Sequence, residues 1–219
     1  MNIVLINGSP KGEKSCSKYL LEVVKSYFDK ENNVYEISIA DKRIKDVDKF
    51  HVLTNCDNIV IAFPLYVDCL PSTVIKFLEG FEKYTKENNI KCDSRIYGIV
   101  NCGFYEGKQN RQALKILRNF TNHIEKLRYG GGIGIGTGPF IGNSSSIPWQ
   151  AKIKSSIKEV LDKLIDVINS GESMGKDLYA EANMNKVLYM QAGNFGWISS
   201  GFKNKVYITS FNKKPYKIK

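Results

Sequence analysis

Apolar runs rich in isoleucine and valine recur at Ile3 to Ile6, Val34 to Ile39, Ile59 to Phe63, Ile96 to Val100 and Ile133 to Ile135, lengths that suit strands. Between most of them the apolar spacing becomes helical. Tyr19, Leu20, Val23, Val24, Tyr27 and Phe28 form one continuous stripe. A second helix is expected from Pro71, a favoured first helical residue, through Val74, Ile75, Phe77, Leu78 and Phe81, and a third from near Gln109 with Leu114, Leu117 and Ile124. A fourth follows Pro148, with Ile153, Ile157, Val160, Leu161, Leu164, Ile165 and Ile168, and ends at Gly171. Five strands alternating with helices imply βαβ units. The expected fold is a doubly wound α/β domain, a parallel sheet with helices on both faces.

After Gly171 the pattern changes. Leu178 to Met190 reads as helical, Ala192 to Gly201 is short and aromatic, and Val206 to Phe211 reads as a late strand. Residues 1–170 are therefore expected as the main domain. Residues 171–219 form an elaboration, a C-terminal helical and aromatic extension that packs on the domain or on a partner subunit.

Composition narrows the class. A chain of 219 residues, 42% hydrophobic, can bury one full core. Polar Asn7 to Lys14 interrupts the first apolar run, so no export signal is expected, and Asn58 to Leu70 is broken by Pro64 and Asp68, so no membrane span is expected either. Five scattered cysteines, Cys16, Cys56, Cys69, Cys92 and Cys102, argue against a disulfide framework and for a reducing, cytoplasmic setting. The net charge of +10 is spread among acids, except for an acid-free tail carrying Lys203, Lys205, Lys213, Lys214, Lys217 and Lys219. The tail reads as solvated rather than as a nucleic-acid patch, because no nucleic-acid module accompanies it.

Ligands of doubly wound sheets bind beyond the carboxyl ends of the strands, which directs attention to the loops there. The first, Asn7-Gly8-Ser9-Pro10-Lys11-Gly12-Glu13-Lys14-Ser15-Cys16-Ser17, offers hydroxyls, amides, lysines and a helix N-terminus, all suited to phosphate. From Gly8 it nearly reproduces an ATP-binding Walker loop. Glu13, however, stands where that loop needs its second glycine, and no G-x-G-x-x-G can be laid on it. The plain alternative is an ordinary turn with Ser15 as a helix cap. The loop after the third strand, Phe63 to Pro71, is apolar, aromatic and stiffened by Pro64 and Pro71, a natural seat for a flat heteroaromatic ring. The loop after the fourth, Asn101 to Gly107, combines two glycines, two aromatics and polar groups. His51 and His123 each stand alone and read as surface or helix-end residues. The glycine-rich stretch Tyr129 to Gly138 reads as the fifth strand leading into a loop. Trp149, Phe195 and Trp197 suit either core packing or the ligand face of a neighbouring subunit.

Two of these stretches together resemble the flavodoxin-like NAD(P)H-dependent FMN reductase family. Its members open with a strand, an N-G-S-P-[RK] turn and S-x-[ST], matched by Asn7 to Lys11 and Ser15 to Ser17, and carry P-x-Y-x-x-x-x-P after strand three, matched by Pro64 to Pro71. The resemblance spans roughly residues 1–170. It implies a flavodoxin-like, five-stranded sheet in the order 2-1-3-4-5. It also implies that Ser9, Lys11, Ser15, Cys16 and Ser17 surround the FMN phosphate, with Cys16 giving its backbone amide. Pro64, Leu65, Tyr66 and Val67 would flank the isoalloxazine, and Asn101, Cys102, Gly103, Tyr105 and Glu106 would edge it. Cys16 departs from the family's usual asparagine. A related iron–sulfur branch has a compact run of four cysteines after strand two; only Cys56 lies near there, and no metal cluster is expected.

The implied activity is hydride transfer from NADPH or NADH to FMN. Electrons then pass to a quinone, a nitro or azo compound, a metal or a protein, and the flavin rather than a catalytic side chain carries the chemistry. A homodimer or higher homo-oligomer is implied, with no nucleic acid. The alternatives are a flavodoxin-type electron carrier, disfavoured by the positive charge and the Ser-Pro-Lys loop, and a flavin-binding regulatory or interaction protein.

Overall fold

The computed structural model describes residues 1–28, 32–211 and 213. Lys214, Lys217 and Lys219 of the basic tail lie outside the described residues. The chain forms two compact units, residues 1–183 and 184–219.

Unit 1 is built on six parallel strands: β1 (Asn2–Asn7), β2 (Asn33–Ser38), β3 (Asn58–Pro64), β4 (Arg95–Asn101), β5 (Arg128–Ile135) and β6 (Leu178–Ala180). They stand in the order β2-β1-β3-β4-β5-β6. The interior strands β1, β3 and β4 are almost entirely buried, which is why they appear in the sequence as unbroken apolar runs. The sheet thus keeps the expected order of five and adds a sixth strand at the β5 edge. Leu178, Tyr179 and Ala180 pair with Ile133, Gly134 and Ile135, so the helix expected from Leu178 does not start there. Asp177 accepts hydrogen bonds from Tyr129 Oη and Arg118 Nη2, each at 2.9 Å, and holds the start of β6 in place.

Alternation along the strands sends side chains to two layers. Val4, Ile6, Ile59, Ile61, Phe63, Ile96 and Val100 join one core with α2 (Asp46–Thr54), α3 (Ser72–Glu87) and α4 (Arg111–Thr121). The intervening residues of β1, β3 and β4 are also buried, on the side covered by α1 (Cys16–Phe28) and α6 (Ser155–Ser170). There Leu20, Val24, Leu161, Leu164 and Ile168 are fully buried, each contributing about 1.5–3 kcal/mol of transfer free energy. Helix α2 has no counterpart among the sequence expectations. It buries only Lys49, Phe50 and Leu53 and so leaves no long stripe. A one-turn helix, α5 (Gly138–Gly142), follows β5.

Unit 2 holds α7 (Lys186–Lys203), capped by Asn185 Oδ1, which accepts from Val187 N at 2.9 Å and Leu188 N at 3.2 Å. Val206 to Phe211 is not a strand. Lys205 takes a left-handed φ of 58°, and Val206 N donates to Gly201 O at 2.8 Å, closing the helix end and turning the chain into a short 3-10 turn at Ile208–Ser210. No helix among the described residues is long and apolar enough to cross a membrane.

Strand β5 is glycine-rich for steric reasons. Tyr97 is fully buried, and a Cβ at Gly130 would lie 2.2 Å from its ring. Gly130→Ala should therefore cost about 1–3 kcal/mol and lower the melting temperature by several degrees in thermal denaturation. Adding Tyr97→Ala should make the cost of Gly130→Ala disappear, although that variant carries its own cavity cost.

Candidate functional site

The order of the sheet reverses between β1 and β3, and the chain leaves both strands at the same end. The first loop is folded by its own side chains. Asn7, buried, donates from Nδ2 to Gly12 O at 3.0 Å and accepts from Ser9 N at 3.0 Å. Gly8 N donates to Ala62 O at 2.8 Å, binding the loop to β3. A Cβ at Gly8 would meet Val74 Cγ2 at 2.8 Å, so this approach requires glycine. Ser15 caps α1: its hydroxyl donates to Gly12 O at 2.7 Å and accepts from Lys18 N at 3.1 Å. The amides of Cys16 and Ser17, at the first turn of α1, have no preceding helical carbonyl to bond and open toward any anion placed there.

Glu13 does not oppose that anion. Its carboxylate is exposed and paired with Lys18 at 3.8 Å, while Lys18 also pairs with Glu22 and Glu36. Among the described residues, neither Lys11 nor Lys14 has a carboxylate within ion-pair distance, and both are exposed. Both line the same cavity as the first residues of α1.

The loop after β3 is drawn in by Leu65 N, which donates to Asn101 O at 2.8 Å. It then makes a tight turn. Tyr66 and Cys69 exchange backbone bonds of 2.9 and 3.0 Å, with Val67 and Asp68 between them at φ 50° and 58°. Asn101, at the end of β4, donates from Nδ2 to Ser17 Oγ at 2.8 Å and to Phe63 O at 3.2 Å. One amide thus pins α1, β3 and β4 together.

These loops enclose one cavity of about 310 Å³, within the range of small-ligand sites. Of the residues singled out in the sequence, Ser9, Lys11, Ser15, Cys16, Ser17, Pro64, Leu65, Tyr66, Asn101, Cys102 and Gly103 line it. Val67, 98% exposed at the turn tip, does not. Tyr105 instead lines a separate hollow of about 340 Å³ with Glu159, Tyr179 and Glu181, and Glu106 lines neither. The loop after β4 turns away because Gly107, which follows them, is buried against β6, where its amide donates to Glu181 Oε2 at 3.0 Å.

Lys14, one of the lysines of the phosphate-suited first loop though not among those assigned to the FMN phosphate, also lines it, and Gly138, Pro139, Gly142 and Asn143 complete the lining and were not singled out. Their signal was Gly138-Pro139, a proline at a helix start. Thr137, fully buried with a left-handed φ of 53°, sets this segment. Thr137 N donates to Phe104 O at 2.7 Å, Gly138 N to Cys102 O at 2.8 Å, and Thr137 Oγ1 accepts from Ala182 N at 2.9 Å. Behind it, Lys154 is fully buried and donates to Tyr19 Oη, Ser144 O and Ile147 O at 2.9, 2.7 and 2.8 Å. Trp149 packs edge-on against Tyr19, with ring centroids 6.2 Å apart, beside the same amine.

All five cysteines are free. Burial, reinforced by Cys102 nearby, pushes the Cys16 thiol up to about 12, and burial also raises Cys102. Both remain neutral thiols at physiological pH and add no negative charge to the cavity. His51 and His123 are exposed, far in sequence from these loops, and His123 Nδ1 lies 3.3 Å from Glu82.

No family model and no curated protein matches the chain. Among solved structures, an NADPH-quinone reductase from P. pentosaceus superposes with a TM-score of 0.52 at 13% identity, covering 80% of this chain and all of that one. The fold is flavodoxin-like. The rubredoxin oxygen:oxidoreductase from Desulfovibrio gigas also superposes at 0.52, with 12% identity over 77% of this chain and 35% of that longer one. At such identities the likeness establishes the flavodoxin-like fold and leaves the chemistry to the residues.

Two outcomes follow from this geometry. A β-branched residue in the left-handed region is strained by about 1–2 kcal/mol, so Val67→Gly should raise stability by up to about 1 kcal/mol after glycine's entropic cost, measured by calorimetry. Cys16 and Cys56 are both raised to about 12 from an ordinary value of 9.0. A raised folded pKa stabilises below the unfolded value and is lost above it. The urea midpoint should hold up to about pH 9 and fall as pH rises toward 12, and Cys56→Ala should reduce that fall.

Proposed function

We propose that this protein is an FMN-dependent oxidoreductase that takes hydride from NADPH or NADH and delivers electrons to a small-molecule acceptor of the quinone, nitro or azo type, a metal ion or a protein. The observation that carries the reading is the mixed character of the cavity at the β1/β3 switch point. Lys11, Lys14 and the first residues of α1 give its lining cations and amides, and Pro64, Leu65, Tyr66 and Pro139 give the same lining its apolar surface. An anion tethered to a flat ring fits that mixture, and a triphosphate fits it less well, because the loop lacks the second Walker glycine.

FMN, when bound, supplies the hydride chemistry. The chain's residues hold and shield it. Lys11, Lys14 and the amides of Cys16 and Ser17 would receive the phosphate, while Ser15 keeps α1 capped so that those amides stay aligned. Pro64, Leu65 and Tyr66 would cover one face of the ring. The backbones of Asn101, Cys102, Gly103 and Gly138 would meet its edge, and the neutral thiols of Cys16 and Cys102 would leave its electrons unopposed. No side chain need act as acid or base. The net positive charge favours the approach of an anionic nicotinamide. The NADPH-quinone reductase of like fold supports the same order of electron flow. A homodimer and a cytoplasmic setting belong to this proposal.

The test is FMN titration of the purified protein, then anaerobic NADPH or NADH with the long-wavelength flavin absorbance followed. Saturable one-to-one binding and bleaching are expected. Binding without bleaching by either nicotinamide would make the protein an electron carrier instead, and no uptake of FMN would overturn the cofactor assignment. Ser15→Asp isolates the phosphate end, because aspartate caps helices as well as serine does. It should leave the melting temperature within about 1–2 °C of wild type and weaken FMN at least about tenfold through repulsion.

A further inference from the structure

Unit 2 has a composition unlike the rest of the chain. Residues 184–219 contain seven lysines and no Asp, Glu or Arg, so this segment holds seven of the ten net positive charges. Residues 1–183 are left with 25 basic and 22 acidic side chains. The same segment carries large exposed apolar side chains in quantity. Helix α7 buries no residue, and Phe195 and Trp197 are 71% and 78% exposed, with Val187, Leu188, Met190 and Phe202 exposed beside them.

At 100° per residue those six side chains fall on one half of the helix together with Ile198, Gln191 and Asn194, and Lys186, Tyr189, Ala192, Gly196, Ser199, Ser200 and Lys203 fall on the other. A half-apolar helix without acids, followed by Lys203, Lys205 and Lys213 and by Tyr207 and Phe211, has the chemistry of an interfacial helix. Its apolar side chains can enter the acyl boundary, its aromatics can sit at headgroup level, and its lysines can reach lipid phosphates. The helix cannot span the bilayer. We infer that residues 184–219 dock this protein onto an anionic lipid bilayer, with α7 lying in the plane of the interface.

Charge decides between this occupant and others. A second copy docked on this segment would bring a second lysine-rich, acid-free segment beside the first, with no Asp or Glu in either to offset the charge. Nucleic acid would satisfy the lysines and leave Val187, Leu188 and Met190 without a partner. An anionic bilayer answers both features at once.

The test is sedimentation of the full chain with sucrose-loaded vesicles of phosphatidylcholine containing about 30 mol% phosphatidylserine, against vesicles of phosphatidylcholine alone. Pelleting with the anionic vesicles only, reversed at about 0.5 M salt, is expected, together with a blue shift of tryptophan emission that Trp197→Ser removes. Lys203→Gln combined with Lys205→Gln should weaken partitioning roughly thirty-fold, since each lysine near such a surface contributes a factor of about five, and circular dichroism should show the fold unchanged. Equal pelleting with both vesicle types would overturn the proposal. So would failure to pellet accompanied by a concentration-dependent dimer that Trp197→Ser dissolves, which would assign the face to a second copy. Salt-sensitive binding to a DNA duplex without binding to vesicles would overturn it in favour of nucleic acid.

Discussion

Strand β1 lies between β2 and β3, so the two crossovers that leave and return to it must run on opposite faces of the sheet. No connection covers the carboxyl ends of β1 and β3. That gap is a consequence of strand order alone. Its width is then set by short hydrogen bonds, Gly8 N to Ala62 O and Leu65 N to Asn101 O, each at 2.8 Å, which keep the first and third loops from splaying. The Asn101 side chain closes the set by holding the first turn of α1 against β3. The near wall of the cavity, formed by the first loop and the loop after β3, depends on these few bonds, which lie at the strand ends.

The far wall is held differently. Thr137 occupies a backbone conformation that threonine rarely adopts, and it is fully buried, so the surrounding structure must impose it. Its amide and the amide of Gly138 both engage the β4 loop, at Phe104 and Cys102, and its hydroxyl engages the chain after β6. The three-residue strand β6 is therefore more than an edge decoration. It supplies the carbonyl of Ala180 to Gly136 N, and the amide of Ala182 just beyond it reaches Thr137, so that together they lock the turn after β5.

Legibility from sequence followed burial. Strands β1, β3 and β4 are buried along nearly their whole length, and each shows as an apolar run; α1, α3 and α6 bury one broad stripe, and each shows as a period of 3.6. What was hidden lacks such contrast. Helix α2 buries three residues, and β6 is too short for any period to emerge. The segment from Gly138 to Asn143 meets the cavity largely through glycine and proline, types that composition reads only as loop. The family resemblance put Tyr105 and Glu106 at the ring edge, but in the structure buried Gly107 bends the chain toward β6 and neither lines the cavity. Asn185 was the overlooked marker for the start of α7.

Two amines are sealed inside this lysine-rich protein. Lys49 bonds Asp41 O and Asp46 Oδ1, and Lys154 spends all three donors on Tyr19, Ser144 and Ile147. Neither is accessible to solvent while the fold is closed, whereas exposed lysines such as Lys11 and Lys14 are. An amine-reactive reagent consequently sees two populations in one molecule, and labelling of Lys154 reports how often the segment behind the cavity opens. The chain thus carries its own clock for the breathing of that wall, written in a residue type usually regarded as surface.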